Sequence, residues 1–316
     1  MLELPSGMTH PAPLPAPLYQ GSVNTWECDD GGHMNVRFHT ERAMIGLAHM
    51  ARALDLPRAF MPAAGSTIVI NQMHVRFLLE ARPGAPLVMH GGVAKLGDSD
   101  GIFCLDMRHS DGAPSSAFTL HVSHVDTRSF RPFAWSERTR EAAKALKAPL
   151  PAHAKPRSID MDKSPADASL ARAIELGAQR IGGTFVQPDQ CDAFGRLRGE
   201  HFIGRVSDSV PNLLAQWRRE AAESSGGTMA GAVVEARLVF RRFPRAGDFI
   251  EIRTGLADIT GKTLRLVHWI CDPVSGKAWA SMEAVALTFD TATRKAVAYS
   301  DEMRERWMKH AVAMGV

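Results

Sequence analysis

Asp29 lies in the run Trp26-Glu27-Cys28-Asp29-Asp30-Gly31-Gly32-His33-Met34-Asn35, which joins a short β-rich segment to a stretch with helical spacing. A carboxylate there can attack an activated carbonyl or draw a proton from water. The free N–H groups and positive dipole end of the helix, near Val36 and Arg37, can stabilise the oxyanion that forms. An Asp beside glycines ahead of a helix also serves purely as a cap or turn residue, and from the turn alone both readings stand. His33 can orient the carboxylate, touch a substrate, or simply hydrogen-bond to backbone. Asn35 suits pinning the loop through side-chain to backbone bonds.

Other chemistries find less support. None of the 13 histidines falls in the His-Glu-x-x-His pattern, so no metal is expected. Cys28, Cys104, Cys191 and Cys271 are too scattered for a zinc knuckle or redox dithiol. The only Gly-x-Ser-x-Gly run, Gly97-Asp98-Ser99-Asp100-Gly101, falls between two β-rich runs rather than between a strand and a helix and so is no nucleophile elbow, and the chain has no Gly-rich phosphate loop. With 37 basic against 34 acidic side chains, no single-sign field points to nucleic acid. No run approaches the length of a membrane span, and residues 1–20 are Pro-rich without the apolar core of a signal peptide. The expectation is a cytoplasmic protein acting on a small molecule, with no cofactor.

The elements that must position this turn occur twice. Sliding the chain on itself by 163 residues sets Asp29 on Asp192, Gly32 on Gly195, Phe77 on Phe240 and Gly84 on Gly247. After a one-residue slip Asp126-Thr127 falls on Asp290-Thr291, Ser136 on Ser300 and Arg140-Glu141 on Arg304-Glu305. Each half reads as one short strand, the turn, a helix with one broad apolar face, four β-rich runs and a closing charged helix. Such short connections suit an antiparallel sheet packed on a helix, an α+β fold. Pro149, Pro151, Pro156 and Pro165 mark 148–167 as an extended linker between domains at 1–147, with a Pro-rich tail over 1–17, and 168–316.

The first turn resembles the signature of the 4-hydroxybenzoyl-CoA thioesterase branch of the hotdog superfamily: an acidic residue, any residue, then Asp-x-x-Gly-His-x-Asn. Glu27, Asp29, Gly32, His33 and Asn35 fill those positions. The resemblance implies a double hotdog in which the halves pair like dimer subunits, with each site in the groove between them. It implies an acyl-CoA thioesterase, coenzyme A entering only as part of the substrate. Asp29 becomes nucleophile or general base, with His33 and Asn35 beside it, and Gly32 and the Val36 N–H contact substrate. The Asp29 turn should face the second half, for which 224–228 is the candidate segment. Association of the paired halves into a homo-oligomer is left open.

The sequence departs from that pattern at His39, where many relatives carry Tyr, and more widely in the second half. There Arg196 and Arg198 replace the His and Asn, which leaves Asp192 an unpromising catalyst. The two arginines could hold coenzyme A phosphates or form a solvated face. Two other functions are compatible with the fold: a non-catalytic acyl-CoA-binding module, and a hotdog hydratase or dehydratase, although neither half carries the hydratase motif.

Overall fold

Side chains alternate between buried and exposed along the β-rich runs, and this period of two commits them to strands with one face on a core. The computed structural model describes residues 16–163, 168–225, 229–290, 292–309 and 311–312. The first half runs β1 (Tyr19–Ser22), α1 (Val36–Ala53), β2 (Ser66–Phe77), β3 (Pro86–Leu96), β4 (Asp100–His109), β5 (Pro114–Asp126) and α2 (Glu137–Ala145). The second runs α3 (Leu170–Glu175), β6 (Gln179–Phe185), α4 (Glu200–Ser225), β7 (Met229–Phe240), β8 (Phe249–Thr260), β9 (Thr263–Cys271), β10 (Ala278–Asp290) and α5 (Asp301–Met308).

All ten strands join one antiparallel sheet in the order β1-β3-β4-β5-β2-β7-β10-β9-β8-β6. This is the tandem hotdog arrangement, with α1 and α4 packed together on one face of the sheet. At the β2–β7 seam His74 pairs with Arg237, and these positions are themselves 163 residues apart. The internal two-fold axis therefore passes through that pair, which is why the two halves make a continuous sheet. Joining β2 to β7 also removes two edge strands that would otherwise template aggregation.

Hydrogen bonds at the chain breaks explain where helices begin. Asn35, Ser136, Ser169 and Ser300 each accept from a backbone N–H two or three residues on, capping α1, α2, α3 and α5. The short helix α3 was not expected from sequence, because six residues show too little periodicity; it belongs to a small outer core with Trp269 and Val312. Pro211 sits inside α4, where sequence rules would end a helix.

The Pro-rich linker is tied to the sheet at the seam. Arg157 and Ser158 donate backbone N–H groups to the Glu235 carboxylate at 3.0 and 2.9 Å, and the Arg237 guanidinium donates to the Asp160 and Lys163 carbonyls. Glu235 also accepts from His74 at 2.9 Å. Burial alone would raise its pKa, but these donors hold the carboxyl below the ordinary range.

The two halves fill their cores differently. In the first, Met73, Leu120, Phe103 and Val93 form a cross-strand row on the helix-facing side. The corresponding row in the second half is Ala236, Ala284, Leu266 and Leu256. Replacing Met and Leu by Ala withdraws side-chain volume beneath α4, and that space is not closed by collapse of the sheet.

Candidate active site

Residues 28–35 form a closed loop before α1. Cys28 bridges Met34, the Asp29 N–H donates to the His33 carbonyl at 3.1 Å, and the Gly32 N–H returns to the Asp29 carbonyl at 3.0 Å. Gly32 occupies the left-handed region at φ 71°, which explains its identity. At Gly31 a side chain would run into the His33 ring, with its Cβ only 2.7 Å from Cε1. Met34 then anchors the loop to the strand side by donating its N–H to the Ala81 carbonyl.

Asp29 Oδ1 accepts from the Gly31 N–H at 2.9 Å and lies 3.3 Å from His33 Nδ1, a close approach without hydrogen-bond geometry. Oδ2 is taken up by no donor among the described residues. Asn35 caps α1 by accepting from Arg37 N at 2.9 Å, and its Nδ2 donates to Ser207 Oγ of α4 at 3.0 Å. The N–H of Val36, first in the helix, meets no acceptor among the described residues. Glu27 is the buried prop of the loop: it accepts from the Asn24 N–H and from Arg42 of α1, while Arg42 also donates to the Tyr19 hydroxyl.

Asp29, His33, Asn35 and Val36 all line a mostly apolar cavity of about 750 Å³ that runs into the second half beneath α4. Gly32 shapes the loop without reaching the cavity wall. The facing wall comes from the second half, from Ile203, Val206 and Val210 of α4 and from Gly231 to Val234 of β7. Of the candidate segment 224–228, residues 226–228 and the side chains of 224 and 225 lie outside the described residues. At the rim Arg294 of the second half bonds to Glu80 of the first. Burial would raise Glu80, but Arg294 and His33 hold its carboxyl below the usual range.

The second turn repeats the loop and closes it. Asp192 accepts from the N–H groups of Phe194 and Arg196 and from Arg196 Nε and Nη2, all at 2.8–3.0 Å. The guanidinium also lies over Phe130, Phe194 and Phe243. Arg196 thus lines a separate cavity of about 350 Å³. Arg198 turns toward Glu200 and His201, and neither arginine reaches the Asp29 cavity. Among the described residues no group of His, Cys, Asp and Glu could hold a metal ion, and no helix is long and apolar enough to cross a membrane.

The sequence profile of the thioesterase-like superfamily matches residues 23–156 and again 186–307, one match per hotdog. The chain belongs to the thioesterase-like superfamily. That membership carries the general chemistry of thioester hydrolysis. Among solved structures, this thioesterase-like chain is similar to the 12:0-ACP thioesterase from Umbellularia californica, with a TM-score of 0.65 at 12% identity over 85% of this chain and 93% of that one. An acyl-ACP thioesterase from Bacteroides thetaiotaomicron gives 0.61 at 10% identity over 85% and 96%. At such identities the likeness is one of fold. No curated protein matches by sequence.

His39 and His268 of this thioesterase-like protein both touch the cavity, and burial pushes each imidazole pKa down to about 3. His39 bonds to Ser116 at 3.1 Å and stands edge-on to Phe77. In the unfolded chain the same groups titrate near 6.5. Between the two values the unfolded state binds more protons, so stability is full above pH 6.5 and is lost as pH falls toward 3. Unfolding free energies from urea titrations at pH 7, 6 and 5 should drop with a slope of up to about 1.4 kcal/mol per pH unit for each histidine, and the midpoints with them. The variants His39→Gln and His268→Leu should each flatten that slope; an unchanged midpoint across this range in the wild type would contradict the burial of neutral rings.

Proposed function

We propose that the chain hydrolyses the thioester of a long, largely apolar acyl group carried on coenzyme A, using one site built by both halves. The observation that carries this reading is the meeting, in one cavity, of the unengaged Asp29 Oδ2 and Val36 N–H with the apolar space beneath α4. The acyl chain enters that space with its carbonyl at the end of α1. There the Val36 N–H and the helix dipole stabilise the developing oxyanion. Asp29 either attacks the carbonyl, expelling the thiol and leaving a mixed anhydride that water then hydrolyses to the acid, or draws a proton from water that attacks the carbonyl and expels the thiol. Labelled water in a single turnover reports on these routes, since an unlabelled product acid requires direct attack followed by water opening the anhydride at the Asp29 carboxyl carbon, which passes an Asp29 oxygen to the product. His33 steadies the carboxylate, and Asn35 positions the helix end by tethering it to Ser207.

A thiol-release screen over acyl-CoAs from acetyl to hexadecanoyl tests the reading, with release expected to favour long chains. Ala284→Leu restores the residue found at the matching first-half position, Leu120, and narrows the cavity. It should cut kcat/KM for hexadecanoyl-CoA by about tenfold or more while sparing short chains, because overpacking of this size costs roughly 1–3 kcal/mol. Equal loss on every chain length would remove the acyl group from this cavity.

A further inference from the structure

The cross-strand row next to Ala284 differs in chemistry between the halves. In the first it reads Gly91, Leu105, Phe118 and Val75; in the second, Thr254, His268, Met282 and Leu238. The apolar first-half row shows that the hotdog needs no polar group there. In the second half, Thr254 and His268 are each 1% exposed, and Thr254 Oγ1 lies 2.7 Å from His268 Nδ1. The other ring nitrogen, Nε2, meets no partner among the described residues, although the ring forms part of the cavity wall. Burying a half-satisfied imidazole costs stability unless water or a ligand in the cavity supplies the missing bond.

The strand register places this pair far from the Asp29 turn. Met34 of the Asp29 turn bonds to Ala81, past the Phe77 end of β2, which runs antiparallel to β7 toward its Gly231 end, whereas Leu238 is the β7 neighbour of Met282 and lies level with His268. At a strand rise of roughly 3.3 Å per residue the two levels are separated by about 20 Å. An acyl chain with its carbonyl beside Asp29 would bring its distal carbons to His268.

Resting on the reading of this cavity as an acyl pocket, we propose that His268 and Thr254 recognise an oxygen on the distal part of the acyl group. The preferred substrate is then a long-chain acyl thioester bearing a remote hydroxyl or oxo group. A hydroxyl both donates and accepts, so it satisfies Nε2 in either tautomer that the Thr254 bond selects. An oxo group satisfies the tautomer with hydrogen on Nε2. A distal carboxylate is disfavoured, because the neutral ring cannot offset a buried charge.

The test compares dodecanoyl-, tetradecanoyl- and hexadecanoyl-CoA with their ω-hydroxy and distal oxo counterparts, and uses calorimetry to measure binding of the free acids. Wild type should favour an oxygenated member by about tenfold or more in kcat/KM, expressed in KM, with a matching difference in Kd. His268→Leu should abolish or reverse that preference, and Thr254→Val should weaken it; if the first variant does not fold, the second decides. An unsubstituted preference in wild type, or a ratio unchanged in the folded variants, overturns the proposal. If no thioester is hydrolysed but the oxygenated acid still binds more tightly in a His268-dependent way, the hydrolytic reading fails and this one stands. If the acids bind without discrimination, this one fails.

Discussion

Asp29→Asn is expected to lower kcat for acyl-CoA hydrolysis by about 100- to 10,000-fold, the range associated with loss of a general acid or base. The fold should survive, because the new amide oxygen can still accept from the Gly31 N–H that Asp29 Oδ1 accepts now. What disappears is the basic Oδ2. The proper control is Asp192→Asn, at the matching position of the second half. Asp192 is saturated by two backbone N–H groups and the Arg196 fork, so it has no oxygen to offer a substrate. Its replacement should leave kcat within about tenfold and instead cost roughly 1–3 kcal/mol of stability, as the largely buried Arg196 loses its partner. Steady-state kinetics of both variants on one acyl-CoA, with melting temperatures alongside, distinguishes the two roles. Equal collapse of kcat in two folded variants would mean that both carboxylates take part.

The second large effect is structural. Glu235→Ala should destabilise the protein by about 3–5 kcal/mol, because removing one member of a buried pair leaves the other desolvated and unmatched. Here His74 and the N–H groups of Arg157 and Ser158 all lose their acceptor together. The linker should then detach from the seam. Urea unfolding measures the loss, and limited proteolysis near Lys155 and Arg157 should accelerate. A destabilisation below about 1 kcal/mol would show that the seam is held by the strand ladder and core alone. The His74–Glu235 pair also ties the halves together, since one residue of the pair comes from each.

Much of this architecture was legible in the chain. The offset of 163 residues, with Asp29 over Asp192 and Phe77 over Phe240, announced the duplication before any strand was placed, and period-two runs with turn residues between them gave the strands. The first turn by itself offered Asp29 as either cap or catalyst, and the resemblance to the hotdog thioesterase signature is what made it the catalytic candidate. Glu27 appeared there only as part of a motif, and the fold shows it to be a buried prop for Arg42. The short helix α3 escaped notice, since six residues carry little periodic signal.

Contacts between residues remote in sequence were hidden. Nothing local in Ser207 indicates that Asn35 binds it across 172 residues, or that Arg294 closes on Glu80. Nor does a single histidine in a strand reveal that it lines a cavity with one ring nitrogen unpartnered among the described residues. The repeat did record the exchange of Leu120 for Ala284 and of Leu105 for His268, but whether such an exchange is filled by neighbours or left as space depends on packing density. Sequence determined the elements because they rest on short-range backbone rules, and it gave the catalytic candidate through a signature contained within ten residues. Tertiary structure alone decided that the carboxylate of one half opens onto the hollow core of the other, because a cavity is set by the volumes of side chains that only folding brings together.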